Sequence, residues 1–373
     1  MSQRILHVIQ SLDRYTPADQ LLALAPVLAA QQFEQSVLVL GHRGELAGGL
    51  AEMGIEPTCL GQRWTLDPGA AAQLTMHVRK ANPNVVHAWD QPSRRYVSLA
   101  TAGLRGCGLV ASWNTVERAR LRVDLPMFFP RSPDRWLVEG KWARDSLAQQ
   151  IAEGVIAVVP PTATPATSTL QRAELMVEFG LPADALLVGT AAQLTASMGV
   201  KELIWAVDMV RVLHPNIRLL IAGDGPQRDH LEHFACTAAV PENVCFLGDT
   251  NRWNDIVPHL DVYWQGTEAA AASPTALLTA MSAGVPVVAS DTAQHRDWIT
   301  DGETGYLVGF DARSDRTRIT DQLLVDRELR KTIGDAGRRR FEEHYSPATA
   351  AELVAGVYRE ACDQPSASGP LPQ

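Results

Sequence analysis

Four groups of residues have types and spacings from which chemistry could be built. The first is Gly223-Asp224-Gly225-Pro226, a tight glycine turn directly after the apolar run IRLLIA, of the kind that brings backbone amides close to a ligand. The second is AAASPTALLTAMSAGVPVVASD, Ala270 to Asp291. In it Ser273 is a fit N-cap, Pro274 suits the first helical position, and Gly284 with Pro286 stops the helix. A helix N-terminus there would attract an anion, but Pro274 has no N–H and removes one donor. Glu268 is the nearest carboxylate. The third group is His87-Ala88-Trp89-Asp90. Asp90 has two readings, a weak base or orienter for an acceptor and a cap for the helix starting near Pro92; His87, inside an apolar strand, reads as a core histidine. The fourth is the set Trp89, Trp113 and Trp264 near strand ends, faces for a sugar or base or else packed wall. No metal site is expected, because the five cysteines are scattered and no Cys/His spacing suits a ligand set.

These residues need elements to hold them. Short apolar runs alternate with segments of helical period, the βαβ rhythm of a parallel sheet. In the first half, strands are predicted at 5–9, 36–40, 84–89, 109–113 and 136–140, with helices at 18–32 and about 142–150. The second half restarts the rhythm, with strands at 186–194 (including its exit turn), 217–225 (ending in a glycine turn), 243–248, 260–265 and 285–290 and a helix at 200–213. The segment VPPTATPATSTL, rich in Pro, Thr and Ala, continues neither element type and reads as a linker. The expected division is residues 1–160 as an N-terminal Rossmann-like domain, 161–170 as linker and 171–345 as a second Rossmann-like domain. A closing helix at 346–363 and a disordered tail at 364–373 follow. The class is α/β, and the default site is the cleft onto which two such sheets turn their strand carboxyl ends.

The chain has 373 residues, enough for two domains, and a net charge of −9 that argues against a nucleic-acid partner. The start RILHVIQSL is too interrupted for a signal peptide, and no apolar run is long enough to span a membrane, so a cytoplasmic protein without an integral membrane segment is expected.

The order VGTAAQLTASMGVKELIWA, LLIAGDGPQRDHLE, VCFLG, LLTAMSAGVPVVASD, DGETGYLV resembles retaining glycosyltransferases of family 4, as do RILHVIQSLDRYTPADQLLALA and PDRWLVEGKWARDSL. The resemblance implies the GT-B fold, two Rossmann-like doubly wound domains facing a central cleft. It implies transfer of a sugar from a nucleotide-diphosphate donor to an acceptor hydroxyl, with no metal and no cofactor beyond the nucleotide sugar itself. It also implies a donor site at Gln193, Met198, Gly199, Gly223, Asp224, Gly225, Ala271, Ser273, Thr275 and Thr279. Several of those positions depart from the family pattern. Gln193 and Met198 stand where members carry an arginine and a lysine for the diphosphate, and Ala271 and Thr279 where they carry two glutamates. Glu268 lies three residues too early to replace the first of these, and Lys201 follows Met198 by three. Thr16-Pro17 replaces a glycine pair, reading here as a surface turn, and Trp89 a histidine; Asp297 replaces a glutamate, while Asp301, Gly302, Thr304 and Gly305 keep the family's turn before the last strand. Two functions follow: a transferase acting on a nucleotide sugar and a glycan acceptor, or an inactive pseudo-glycosyltransferase that binds an active paralogue or another protein.

Overall fold

The computed structural model describes residues 2–113, 130–238, 241–250, 252–267 and 273–363. The chain forms two compact units, Met1–Thr162 with Pro347–Gln373, and Ala163–Ser346.

The first unit runs β1 (Gln3–Ile9), α1 (Pro17–Ala30), β2 (Phe33–Val39), α2 (Ala47–Glu52), β3 (Thr58–Cys59), α3 (Pro68–Ala81), β4 (Val85–Ala88), α4 (Gln91–Ala100), β5 (Gly108–Trp113), β6 (Arg135–Val138), α5 (Lys141–Leu147) and β7 (Ile156–Val158). Its seven strands lie in the order β3-β2-β1-β4-β5-β6-β7, every pair parallel, so each connection is a crossover of the doubly wound type. Strands β4 and β5 are buried along their whole length, which is why VVHA and GLVASW read as continuous apolar runs rather than alternating ones.

The second unit contains α6 (Arg172–Glu178), β8 (Leu186–Ala191), α7 (Val200–Leu213), β9 (Ile217–Ala222), α8 (Arg228–Thr237), β10 (Val244–Gly248), α9 (Trp253–Ile256), β11 (Val262–Gln265), α10 (Thr275–Ser282), β12 (Val287–Ser290), α11 (Ala293–Trp298), β13 (Tyr306–Val308), α12 (Arg313–Val325) and α13 (Arg327–Arg340). Its six strands order β10-β9-β8-β11-β12-β13, again parallel throughout. Its core is an aliphatic cluster around Trp264, whose indole N–H donates to Thr320 Oγ1 at 3.0 Å. That bond lets a large ring be buried without an orphaned donor. Trp264 is therefore packed wall.

After a wide turn at Phe341–Tyr345 the chain returns to the first unit as α14 (Pro347–Asp363). Two features hold it there. A Cβ on Gly108 would lie 2.6 Å from the Ala361 carbonyl oxygen, so only glycine admits this helix so close to β5. The Tyr358 hydroxyl reaches His87 Nδ1 at 2.7 Å. Among the described residues no helix is long and apolar enough to cross a membrane.

Candidate functional site

At the carboxyl ends of the second unit's strands, the turns after β8 and β9 are fastened to each other. Leu194 donates its N–H to the Asp224 carbonyl at 2.9 Å, and Gln227 donates to the Leu194 carbonyl at 2.9 Å. Gly223 and Gly225 have φ of 111° and 157°, and a Cβ on Gly225 would meet the Leu194 carbonyl oxygen at 2.7 Å. Glycine is required there by both torsion and space. Asp224 is exposed; one oxygen accepts from the Gly225 N–H at 2.7 Å and the other pairs with Arg228 at 3.0 Å.

Gly199 is still more constrained. Its φ is 63°, and a Cβ would fall 2.2 Å from the Gly266 carbonyl oxygen and 2.5 Å from the Phe310 ring. Just before it, Met198 is buried in the core, while Gln193 is exposed. Of the two positions where cations were expected, one is a neutral amide at the surface and the other a thioether turned inward.

At α10 the cap differs from expectation. Pro274 already has helical torsions and its carbonyl accepts from the Leu278 N–H at 2.9 Å, so Pro274 takes the cap position and Thr275 starts the helix. Ser273 caps no amide; its hydroxyl lies 3.1 Å from the Thr275 hydroxyl. Thr279 is buried and returns its hydroxyl to the Thr275 carbonyl at 2.8 Å, the usual back-bond of a helical threonine. Glu268, Ala271 and Ala272 lie outside the described residues.

The other cations of this region are engaged. Lys201 Nζ stands 4.9 Å from the Phe234 ring centroid, Arg228 binds Asp224 and Glu232, and Arg296 binds both oxygens of Asp291 at 2.5 and 2.7 Å. Arg313 pairs with Glu202 at 2.6 Å. Further on, Asp301 accepts from the Leu307 N–H at 2.8 Å and Gly302 takes φ of 74°, so DGETGY is a structural turn. At Asp297 it is the backbone carbonyl that accepts from Arg340 and Tyr345, both at 2.9 Å.

In the first unit Asp90 is a cap. Its two oxygens accept from the Ser93 N–H at 2.8 Å and the Gln10 N–H at 2.7 Å, completing a capping box for α4. Burial raises its pKa and the hydrogen bonds oppose the rise. His87 is wholly buried between the Tyr358 and Ser112 hydroxyls, at 2.7 and 2.8 Å, and burial holds it neutral. Trp89 donates its indole N–H to His7 Nδ1 at 3.1 Å, and Trp113 packs edge-on against Trp136 at 5.9 Å, so both belong to the interior. Thr16-Pro17 is the start of α1: Thr16 and Asp19 form a capping box and Pro17 takes the first helical position.

Two acidic groups here escaped the sequence. Burial pushes Asp19 and Glu139 each up to about 7. Glu139 follows β6, accepts from Gln20 Nε2 at 2.9 Å through Oε1, and leaves Oε2 without a partner beside a small cavity lined by Pro17, Leu24, Trp89 and Ser112. Nothing in LVEGK marks that glutamate, because the shift comes from burial, which one local run does not reveal. Among the described residues, no three His, Cys, Asp or Glu side chains are grouped so as to hold a metal ion.

Two family descriptions match this chain: "Glycosyl transferases group 1" over residues 171–340 and "Glycosyltransferase Family 4" over 19–165. The putative glycosyltransferase EpsD of Bacillus subtilis (strain 168) is 26% identical over 191 residues, 51% of this chain and 50% of that protein. The sulfoquinovosyl transferase SQD2 of Arabidopsis thaliana is 23% identical over 330 residues, 80% of this chain and 61% of that protein. The chain thus spans about half to three-fifths of the length of these curated relatives. Among solved structures, Anabaena HepE in complex with UDP-glucose superposes with a TM-score of 0.84 at 18% identity, covering 96% of this chain and 99% of that one. The sucrose-phosphate synthase of Thermosynechococcus elongatus gives 0.76 at 16% identity, covering 96% and 99%. At such identities these likenesses establish a shared GT-B fold.

Proposed function

This chain belongs to the glycosyl transferases of group 1, and on that premise we propose that it binds a nucleotide-diphosphate sugar at the carboxyl ends of the second unit's strands and transfers the sugar, with retention, to a glycan hydroxyl. The observation that carries the reading is the pair of turns around Gly199 and Gly223–Gly225. Their positive torsions and close contacts hold both turns at the strand ends, although the side chains around them have changed. A neighbour of the same fold is held with UDP-glucose, which supports a nucleotide sugar as the ligand class. The donor positions proposed are Gln193, Met198, Gly199, Gly223, Asp224, Gly225, Ala271, Ser273, Thr275 and Thr279.

A second reading rests on Met198 and Thr279. Both are buried, one in the core and the other on its own helix, so neither offers charge to a diphosphate or a ribose. Losing one such transition-state contact costs ~3–4 kcal/mol, about a hundredfold to a thousandfold in rate. A protein that binds the nucleotide sugar but transfers it slowly or not at all, acting as a partner to an active relative, fits those two residues. Calorimetry with UDP and UDP-glucose, followed by a hydrolysis and transfer assay, separates the readings. Binding with turnover supports the transferase, binding without turnover supports the pseudoenzyme, and absence of binding removes the transferase and leaves only the partner role, which needs no nucleotide.

A further inference from the structure

Among the described residues of the second unit, one fully buried cation has no carboxylate hydrogen-bonded to it. Arg316 on α12 is fully buried, and its Nε and Nη1 have no hydrogen-bond partner. The remaining nitrogen, Nη2, donates to the Ser290 hydroxyl over a long 3.4 Å. Ser290 is the last residue of β12, so the guanidinium lies at the carboxyl end of the sheet, where ligands of such sheets bind.

His295 of α11 meets the same serine. It is fully buried, and its Nδ1 lies 2.6 Å from the Ser290 carbonyl oxygen. A carbonyl only accepts, so Nδ1 carries the proton and Nε2 presents a lone pair; Nε2 has no partner. Two buried side chains that each bond to Ser290 therefore leave two donor nitrogens and one acceptor nitrogen unsatisfied. Native proteins rarely leave even one such group unpaired without a water, an ion or a ligand.

Charge sharpens the point. A buried guanidinium needs an anion, and burial pulls the pKa of Arg316 down to about 10, with Glu202 opposing the fall. Glu202 is itself paired with Arg313 at 2.6 Å. Meanwhile Gln193 and Met198 supply no charge, and Lys201, Arg228, Arg296 and Arg313 are held by rings or carboxylates.

We propose that Arg316 is an oxyanion-binding group that takes a phosphate-type anion. The oxyanion accepts from Nε and Nη1. The inference rests on the donor reading of the second unit and places its missing positive charge on α12.

The test is calorimetry of the full chain with inorganic phosphate, pyrophosphate, UDP and uridine, using wild type, Arg316→Met and Arg316→Lys. Pyrophosphate and UDP should bind wild type, at least about tenfold more weakly to Arg316→Met, with Arg316→Lys in between because it keeps the charge and loses the fork. Uridine should be indifferent to the substitutions. Binding of phosphate and pyrophosphate alone would point to a free-anion source, and binding confined to UDP to the nucleotide source; both support the group. UDP affinity unchanged in Arg316→Met overturns the assignment and leaves the donor reading standing. No binding of pyrophosphate or UDP to wild type overturns both. Because a core variant can misfold, a wild-type readout accompanies these. The Arg316 Nε–H NMR signal, assigned with Arg316→Lys, should move on saturation with pyrophosphate, and a fixed signal with bound pyrophosphate refutes the proposal.

Discussion

His295 makes the second unit acid-labile. Burial lowers its pKa from 6.5 to about 4, with the Ser290 carbonyl and Asp291 pulling weakly the other way. The neutral ring is the folded form, so its contribution is complete above the unfolded value and is lost as pH falls through 6.5 toward 4. Over that interval the unfolded chain binds the proton and the folded unit does not. Each pH unit costs about 1.4 kcal/mol, so acidification from neutrality to pH ~4.5 should remove roughly 2–3 kcal/mol through this residue alone. Half-buried His259 shifts in the same direction. The first unit is different: burial lowers His7 to about 4, while Asp19 and Glu139 rise to about 7, and the acids lose stability as pH rises. Urea unfolding followed by fluorescence at a series of pH values measures the effect. His295→Asn, whose amide can replace the Nδ1 donor, should be less stable at neutral pH and have a flatter profile below it. A wild-type stability that stays level from neutrality to pH ~4.5, or a variant with the same slope as wild type, would refute the burial argument.

Three further outcomes are expected. Gly199→Ala forces a side chain into a left-handed torsion with its Cβ 2.2 Å from a backbone oxygen, and should lower stability by about 3 kcal/mol or more in calorimetric melting. Gln193→Arg adds a cation at an exposed position of the same turn and should tighten UDP roughly tenfold, less at high salt, with no loss of melting temperature. Asp90→Ala removes the α4 cap and strands the Gln10 N–H, costing about 2–3 kcal/mol of stability while UDP affinity is unchanged.

The strands were legible wherever burial covers both faces of the sheet. VKELIWAVDMVRVL maps onto α7 residue for residue, and the runs behind β1, β4, β5 and β9 fall within a residue or two. Strands β3 and β7 were missed because two and three residues carry no period to read. The opening of α10 was misassigned by one residue: Ser273 and Pro274 both suit a helix start, and only torsions decide which of them caps it. The donor turns could be read from glycine spacing. Arg316 could not, because on the sequence it is one more arginine in ARSDRTRIT, and its burial depends on β12 and α11, distant in the chain. Asp90 was readable as cap or catalyst, and its two backbone partners decide for the cap.

The measurement closest to the central claim is calorimetric titration of the full chain with UDP, repeated with GDP and ADP to fix the base. Saturable binding of one nucleoside diphosphate, independent of magnesium, is the predicted result. No heat from any of the three up to millimolar concentration would contradict a donor site in the second unit.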